Sequence, residues 1–464
     1  MSSIDRSSFS ELLLTDLYEF TMLQAYADAG MDGLAVFEFF VRNLPEARGF
    51  LVAAGLEQVV DFLETARFTD EDLQTLRNEA GLSPDFVDRL AGFRFTGDVH
   101  AMPEGTVFFP DEPIVRITAP IAEAQIVETR VINLLHFQTV IASKAARMVL
   151  AADGRPLVDF GLRRAHGAEA GMLAARASYL AGFAGTATTP AGARFGIPIF
   201  GTMAHSFIQA HDTEEDAFLN FARARPQAVV LLIDTYDTER GARKVVELAP
   251  RLTDLGISIS GVRIDSGDLA GHAFEVREIL DDGGLAEVRI IASGGIDEVK
   301  LKAFAAAGAP IDSCGIGTSV TTSQDAPALD CAYKLQEYAG EPKRKRSEGK
   351  ATWPGRKQVF RSTDDAGRMR SDMLGLEGET HRGQPLIQPV MQGGRRIAQL
   401  PTLDEARDRT AGQLVQLPEH LRRLETSPAY RVDVSDELRR LAAKVDAATS
   451  GGGADVGTST RLDR

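Results

Sequence analysis

The sequence predicts an α/β protein: an irregular barrel of parallel strands joined by crossover helices, with α+β segments before and after it in the chain. Three observations carry this expectation. From Gly154 onward, seven short apolar bursts alternate with helical stretches: RPLVDF, LAGFAGT, PIFG, AVVLLID, ISGVRID, VRIIAS and IDSCGIG, in that order. Every burst runs straight into polar and glycine residues, the composition of loops at one end of successive parallel strands. Before residue 154 and after Thr318 the alternation is absent, so those segments belong to other parts of the fold.

In chain order, residues 12–30 read as a helix, because Leu13, Leu17, Phe20, Leu23 and Ala27 share one side and Gly30 supplies a stop. VFEFFVRNLP, Val36 to Pro45, reads as a strand, and residues 51–90 as helix-rich. Short β pieces follow at Asp98 to Met102, Val107 to Phe109 and Ile114 to Ile117, cut by Pro, Gly and Asp turns. A long helix from Ile121 to about Ala152 closes this first region. Further on, Pro198 to His211 (PIFGTMAHSFIQAH) sets a short apolar strand before a helix whose stripe takes in Phe207, Ile208 and Phe218. Beyond Thr318, AYKLQEY and TWPGRKQVFR look like β pieces of another region, and Ser450 to Arg464, rich in Gly, Ser and Thr, reads as a disordered tail. The expected division is 1–150 (α+β), 151–330 (barrel), 331–448 (C-terminal part) and 449–464 (tail).

Composition narrows the class. At 464 residues, with 44% hydrophobic and 25% charged residues, the chain can bury a large core, and no apolar run approaches the ~20 residues needed to span a bilayer. MSSIDRSSFS lacks the basic and apolar regions of a signal peptide, which makes the cytoplasm the expected compartment. Cys314 and Cys331 are the only cysteines, so neither a disulfide framework nor a cysteine-rich zinc site is supported. A net charge of −15 argues against a nucleic-acid or acidic-membrane binder, and the run KRKR at Lys343 to Arg346 reads as a solvated loop.

The chemistry is expected in the seven loops. His205 stands at a strand's C-terminal end and a helix start, where imidazole can act as base, acid or phosphoryl acceptor beside N–H groups suited to phosphate. Taken alone, a histidine there is more often structural than catalytic. Its neighbours point to anion handling. Gly315, Gly317 and the N–H groups after them can cradle phosphate, while Arg163, Arg164 and Arg263 offer forked donors for carboxylate or phosphate. Asp265 and Asp268 suit sugar hydroxyls or a Mg²⁺ ion carrying a diphosphate. Tight turns and surface pairing are the bland alternatives for the glycines and arginines.

DFGLRRAHG, GTMAHS, DTYD, GVRIDSGDL and GIGTSV, in this order, with LLLTDLYEFTM near the start and PGRKQVFR later, resemble nicotinate phosphoribosyltransferase across roughly residues 12–365. The resemblance implies an irregular barrel of the type II phosphoribosyltransferase kind, an accessory domain built from both chain ends, and a homodimer with sites shared between subunits. It implies ATP-coupled transfer of phosphoribosyl from phosphoribosyl diphosphate to nicotinate, with Mg²⁺. Residue by residue, it makes His205 the histidine phosphorylated from ATP and Asp234 the carboxylate holding its other ring nitrogen. Phe160 and a partner's Tyr18 would stack on the pyridine ring, Thr202 and Arg263 would contact nicotinate, Thr318 the phosphoribosyl diphosphate, and Arg42 phosphate across the dimer. Ala187 stands where the nicotinamide enzyme carries an aspartate, which favours the acid over the amide as substrate. One departure is SGGIDE, where the family often has an acidic residue at the position of Gly294 or Gly295. The alternatives are a nicotinamide phosphoribosyltransferase, a quinolinate enzyme, which would not need the histidine, and a non-catalytic nucleotide-binding homologue, which would be expected to lack His205, Asp234 or Arg263.

Overall fold

A computed structural model describes residues 9–46 and 48–450. The chain opens with helix α1 (Leu17–Asp28), strand β1 (Leu34–Val41), helices α2 (Leu56–Thr65), α3 (Asp70–Glu79) and α4 (Pro84–Leu90), strands β2 (Asp98–Ala101) and β3 (Val115–Pro120), and helices α5 (Ile121–Ile126) and α6 (Glu128–Ala151). The expected elements are all present, with two refinements. The first helix starts at Leu17 after a single 3₁₀ turn at Glu11–Leu13, and the long helical stretch is broken at Val127.

The central region contributes β4 (Leu157–Asp159), α7 (Ala168–Leu180), β5 (Gly185–Thr186), α8 (Thr189–Phe195), α9 (His205–Gln209), α10 (Glu214–Ala224), β6 (Val229–Leu232), α11 (Thr238–Asp254), β7 (Ile259–Ile264), α12 (Leu269–Asp282), β8 (Arg289–Ala292), α13 (Glu298–Ala306), β9 (Ser313–Ile316) and α14 (Thr318–Thr321). The six strands form one parallel sheet in the order β5-β4-β9-β8-β7-β6. Their apolar runs are buried by helices, as parallel strands require.

Seven strands were expected; the burst PIFG yields only a bridge. Ile199 pairs with Thr186 alone, flanked by hydrogen bonds from Thr186 N to the Pro198 carbonyl and from Phe200 N to the Thr186 carbonyl. Pro198 has no N–H to extend the ladder. The helix expected to carry both Phe207 and Phe218 is likewise two helices, because Thr213 caps a new start at Glu214. The sheet nevertheless curls. Thr202, just beyond one edge, receives a hydrogen bond from Arg263 on β7, and His205 meets Thr235 just beyond β6 at the other edge. Side chains, rather than a further strand, close the mouth.

The C-terminal part supplies β10 (Cys331–Tyr338), β11 (Lys357–Thr363), β12 (Met369–Leu376), β13 (Gln388–Gln392), α15 (Leu403–Gln416), β14 (Val432–Val434) and α16 (Asp436–Ser450). β10 and β13 flank the N-terminal strands in an antiparallel sheet whose inner order is β10-β1-β3-β2-β13, so both chain ends build one layer. β11, β12 and β14 belong to a separate sheet. The KRKR loop is without regular structure, as expected, although Arg344 and Arg346 pair with Asp446. The tail beyond residue 450 lies outside the described residues.

Buried ions fasten these layers. Lys144 in α6 reaches Glu298 at the start of α13 (2.6 Å) and Asp325 (2.8 Å), and Arg48 also holds Asp325 (3.0 Å). Burial works to raise the Asp325 pKa, but Arg48 and Lys144 pull it down to about 2. Deleting one partner of such a network leaves an uncompensated buried charge, at about 3–5 kcal/mol. A second cluster joins the sheets: Arg361 binds Asp372 (2.5 Å), Tyr430 OH donates to Asp372 (3.0 Å), and Glu112, fully buried, lies 4.0 Å from Arg361. One guanidinium faces two carboxylates, and burial together with Asp372 holds the Glu112 pKa well above its usual range.

The folded state therefore binds the Glu112 proton more tightly than the unfolded chain does, so this stabilising contribution is complete below about pH 4.5 and shrinks as pH rises. Glu112→Gln keeps the shape without the ionisation. It is expected to flatten the fall in melting temperature between about pH 5 and pH 8 and to equal or exceed the parent at pH 8 in calorimetry. An unchanged slope would place the titration elsewhere.

Candidate active site

Because all six strands are parallel, their C-terminal ends share one edge, and the polar loops of the sequence meet there. At one end of the edge, Phe160 N donates to the Ile316 carbonyl (2.7 Å), which holds β4 against β9. The Phe160 ring lies over Gly315, where a Cβ would come within 2.4 Å of it. Gly315 is thus a seat for an aromatic platform. Beneath, Asp159 accepts from Gly161 N (2.8 Å) and Thr186 Oγ1 (2.7 Å), and its burial raises its pKa against those two bonds.

His205 is the first residue of α9 and is partly exposed. Its Nδ1 lies 3.1 Å from Thr235 Oγ1, and its Nε2 faces Asp265 at 3.8 Å. Asp234, expected to hold the ring, does not touch it in this structure. Its Oδ2 accepts from Asp265 N (2.8 Å) and Ser266 Oγ (2.6 Å), and its buried Oδ1 has no hydrogen-bond partner among the described residues. Asp234 therefore shapes the loop carrying Asp265, and Asp265 faces the imidazole. The reason is local: β6 ends at Leu232, and the turn aims the next hydroxyl, Thr235, at the ring. Thr235 lies in the DTYD motif, and its position next to Asp234 is the one signal of its role in the sequence.

Arg263 is half-buried on β7. One Nη donates to Thr202 Oγ1, while Nε is buried without a partner among the described residues. Burial lowers its pKa and Arg163 adds to the fall, while Asp265 and Asp234 oppose both. A buried guanidinium N–H without a partner at a strand end is an unusual arrangement that calls for an explanation.

Around this centre, Arg163, Ala187 and Thr318 are exposed on the same edge, and Gly317 caps α14. The loop after β8 resolves the departure noted in SGGIDE. Gly294 has φ +94°, and a Cβ there would lie 1.8 Å from the Asp265 carbonyl oxygen. No side chain can stand at 294. At Gly295 (φ +61°) the nearest atom to a Cβ is Lys300 Nζ at 3.6 Å, so of the two glycines only 295 has room for a side chain. Ser293 Oγ, missed in the sequence, binds Asp265 Oδ1 and ties this loop to the one after β7.

Two expected residues are absent from the edge. Tyr18, in the first turn of α1, lines an open depression with Met22, Tyr26, Phe37, Glu128 and Lys334. Arg42 is paired with Asp330 of its own chain (2.9 Å).

Family models match three stretches: the nicotinate phosphoribosyltransferase N-terminal domain over residues 13–136, the nicotinate phosphoribosyltransferase family over 156–359, and its C-terminal domain over 379–442. The chain belongs to the nicotinate phosphoribosyltransferase family. It is 54% identical to a nicotinate phosphoribosyltransferase of Mycobacterium tuberculosis, with 92% of each chain covered, and 35% identical to one of Bacillus subtilis, covering 92% of this chain and 93% of the other. The crystal structure of human nicotinic acid phosphoribosyltransferase superposes with a TM-score of 0.84 at 30% identity, over 93% of this chain and 99% of that one. The match carries the mixed α/β fold and its curled parallel sheet.

For this nicotinate phosphoribosyltransferase homologue the glycine pair offers a contrast. Gly295→Ala meets only the left-handed backbone cost, on the order of 1 kcal/mol, whereas Gly294→Ala must also push away the Asp265 carbonyl. Gly294→Ala is expected to lower kcat/KM at least tenfold more than Gly295→Ala, with both melting temperatures recorded. Equal losses would show that the contact at Asp265 does not hold the loop.

Proposed function

We propose that this protein couples ATP hydrolysis to the transfer of phosphoribosyl from phosphoribosyl diphosphate to nicotinate, making nicotinate mononucleotide for NAD synthesis in the cytoplasm. The observation that carries the reading is Arg263: a half-buried guanidinium, fixed by Thr202 and holding an unpartnered N–H, at the edge that also presents His205. Nicotinate supplies the carboxylate that would complete it. Its ring stacks on Phe160, and an exposed alanine at 187 sets no like charge against the anion. The ring nitrogen attacks C1′ of the phosphoribosyl group as the bond to the diphosphate oxygen breaks. Thr318, Gly317 and the loop at 293–297 receive the phosphates, with Arg163 at the rim.

His205 takes the γ-phosphoryl group. In the tautomer whose Nδ1–H donates to the Thr235 hydroxyl, Nε2 offers its lone pair to the phosphorus, ADP leaves, and water later releases inorganic phosphate. Asp265 faces Nε2 at 3.8 Å, on the side of the ring where the phosphoryl group would sit. Among the described residues no three His, Cys, Asp or Glu side chains form a metal cage. In this reading Mg²⁺ would be carried on phosphate oxygens, with Asp265 and Asp268 as the carboxylates within reach in the same loop.

The irregular barrel, the division near residues 150 and 330, and a homodimer with shared sites belong to the same reading. The exposed large apolar side chains include two groups, Leu162, Ile199, Phe200 and Tyr236 around the catalytic edge and Phe9, Leu14, Leu17 and Tyr18 before and within α1, besides others scattered over the surface. In a two-fold dimer each group would cover the other, bringing Tyr18 to the neighbour's pyridine site and Arg42 toward its phosphates. No helix of the described residues is long and apolar enough to cross a membrane.

Incubated with Mg·ATP, the enzyme is expected to gain one acid-labile, base-stable phosphate per chain, and His205→Ala to abolish both this label and ATP-stimulated turnover. Labelling of the alanine variant would sink the assignment. Assayed at low nicotinate, where the weakened Tyr18→Ala turns over too slowly to register, a mixture of Tyr18→Ala with His205→Ala should regenerate sites that hold both residues, giving ATP-stimulated activity up to about a quarter of the parent by random exchange. Exchange proven by mass spectrometry, with no recovered activity, would count against shared sites.

A further inference from the structure

Tyr18 projects from the protein surface, yet the residue after it is among the most deeply buried charged groups. Glu19 is fully shielded from solvent. Its Oε2 accepts from Thr15 Oγ1 (2.9 Å), and its Oε1 accepts from Thr129 Oγ1 (2.6 Å) and Thr129 N (3.2 Å). Thr15 Oγ1 also reaches the Ile126 carbonyl (3.3 Å). Thr15 lies just before α1, and Thr129 is the second residue of α6, so one carboxyl group joins the entry of α1 to the N-terminal turn of α6. The other carboxylate here, Glu128, is engaged elsewhere, with Gln125 (2.7 Å) and Lys334 (3.4 Å). Among the described residues Glu19 has no cation of its own. Burying a carboxyl group with only hydroxyl and amide donors is costly, and apolar α1 contacts such as Phe20 and Leu23 already hold the helix to the core.

We propose that Glu19 is a positioning residue, whose three hydrogen bonds fix the first turn of α1 so that the Tyr18 ring is presented at one angle to the neighbouring subunit's site. The inference rests on the reading that Tyr18 stacks on nicotinate across a dimer. The geometry supports action through Tyr18: consecutive helical residues differ by about 100° around the axis, so holding Glu19 inward sets the outward direction of Tyr18. α6 is a firm reference, since the same helix carries Lys144 into the buried ion network with Glu298.

The test is steady-state kinetics on the full-length enzyme. Glu19→Ala is expected to raise the KM for nicotinate about five- to twentyfold, with the KM for phosphoribosyl diphosphate within twofold of the parent. Glu19→Gln should restore the nicotinate KM to within about twofold, because its carbonyl still accepts from Thr129 and its amide can donate to Thr15 Oγ1. In a Tyr18→Ala background, Glu19→Ala should add less than twofold. Should Glu19→Ala fail to fold, Thr129→Val carries the same test, with a nicotinate KM raised about threefold in the parent and unchanged in Tyr18→Ala. An unchanged nicotinate KM in the Glu19 or Thr129 variant, or the same loss in the Tyr18→Ala background, would overturn the proposal while Tyr18 keeps its role. If Tyr18→Ala itself leaves the nicotinate KM unaltered, the shared-site reading falls, and the role of Glu19 falls with it.

Discussion

The curled sheet holds its shape through two side-chain contacts at its mouth, Thr202 with Arg263 and His205 with Thr235. The backbone ladder stops at β5 on one side and β6 on the other, and the intervening stretch contributes a single bridge at Ile199. A strand there would have closed the barrel with main-chain bonds and left His205 a rigid part of it. Instead the imidazole sits on a short helix held by hydroxyl and guanidinium contacts, each of which a ligand can take over.

Everything else at that edge is held from behind. Glu298 anchors α13 to Lys144 of α6, which fixes the loop after β8; Ser293 and the glycine at 294 then fix Asp265, and Asp234 fixes the same loop from the other side. The charge that faces His205 is thus set by contacts from three successive strand ends. This division of labour explains why two carboxylates stand so close together. One shapes backbone, and the other faces the ring.

Much of this was legible in the sequence because period and punctuation carry it. Apolar bursts marked five of the six parallel strands with little error, and the glycine- and carboxylate-rich loops marked the edge at which their C-terminal ends meet. The burst LAGFAGT shrank to Gly185–Thr186 because Leu180 ends a helix, and PIFG lost its ladder to Pro198. The partner of His205 was misassigned for a different reason. Asp234 and Thr235 are adjacent, and no periodicity tells which of two neighbours a turn will aim at a ring. Gly315 was read as a phosphate cradle because sequence cannot reveal that a ring 155 positions earlier in the chain occupies the space above it. The residues placed on α1 and at the end of β1 could be assigned to the reaction only through resemblance, since within one chain they lie away from the edge.

The antiparallel layer has a consequence for how the protein is made. Strands β1, β3 and β2 are synthesised early, but the two strands that cover their outer edges, β10 and β13, come from the far end of the chain. β10 begins about 290 residues after β1 ends, which at ribosomal rates of about 5–20 residues per second is roughly 15–60 s. Throughout that interval the nascent N-terminal sheet has two open edges, with Phe37, Phe39 and Phe40 in the strand that awaits β10. Such edges invite pairing with other chains. Biogenesis therefore calls for a holdase, or for slow completion after release, and a product truncated before residue 331 would be an aggregation hazard rather than a smaller working enzyme.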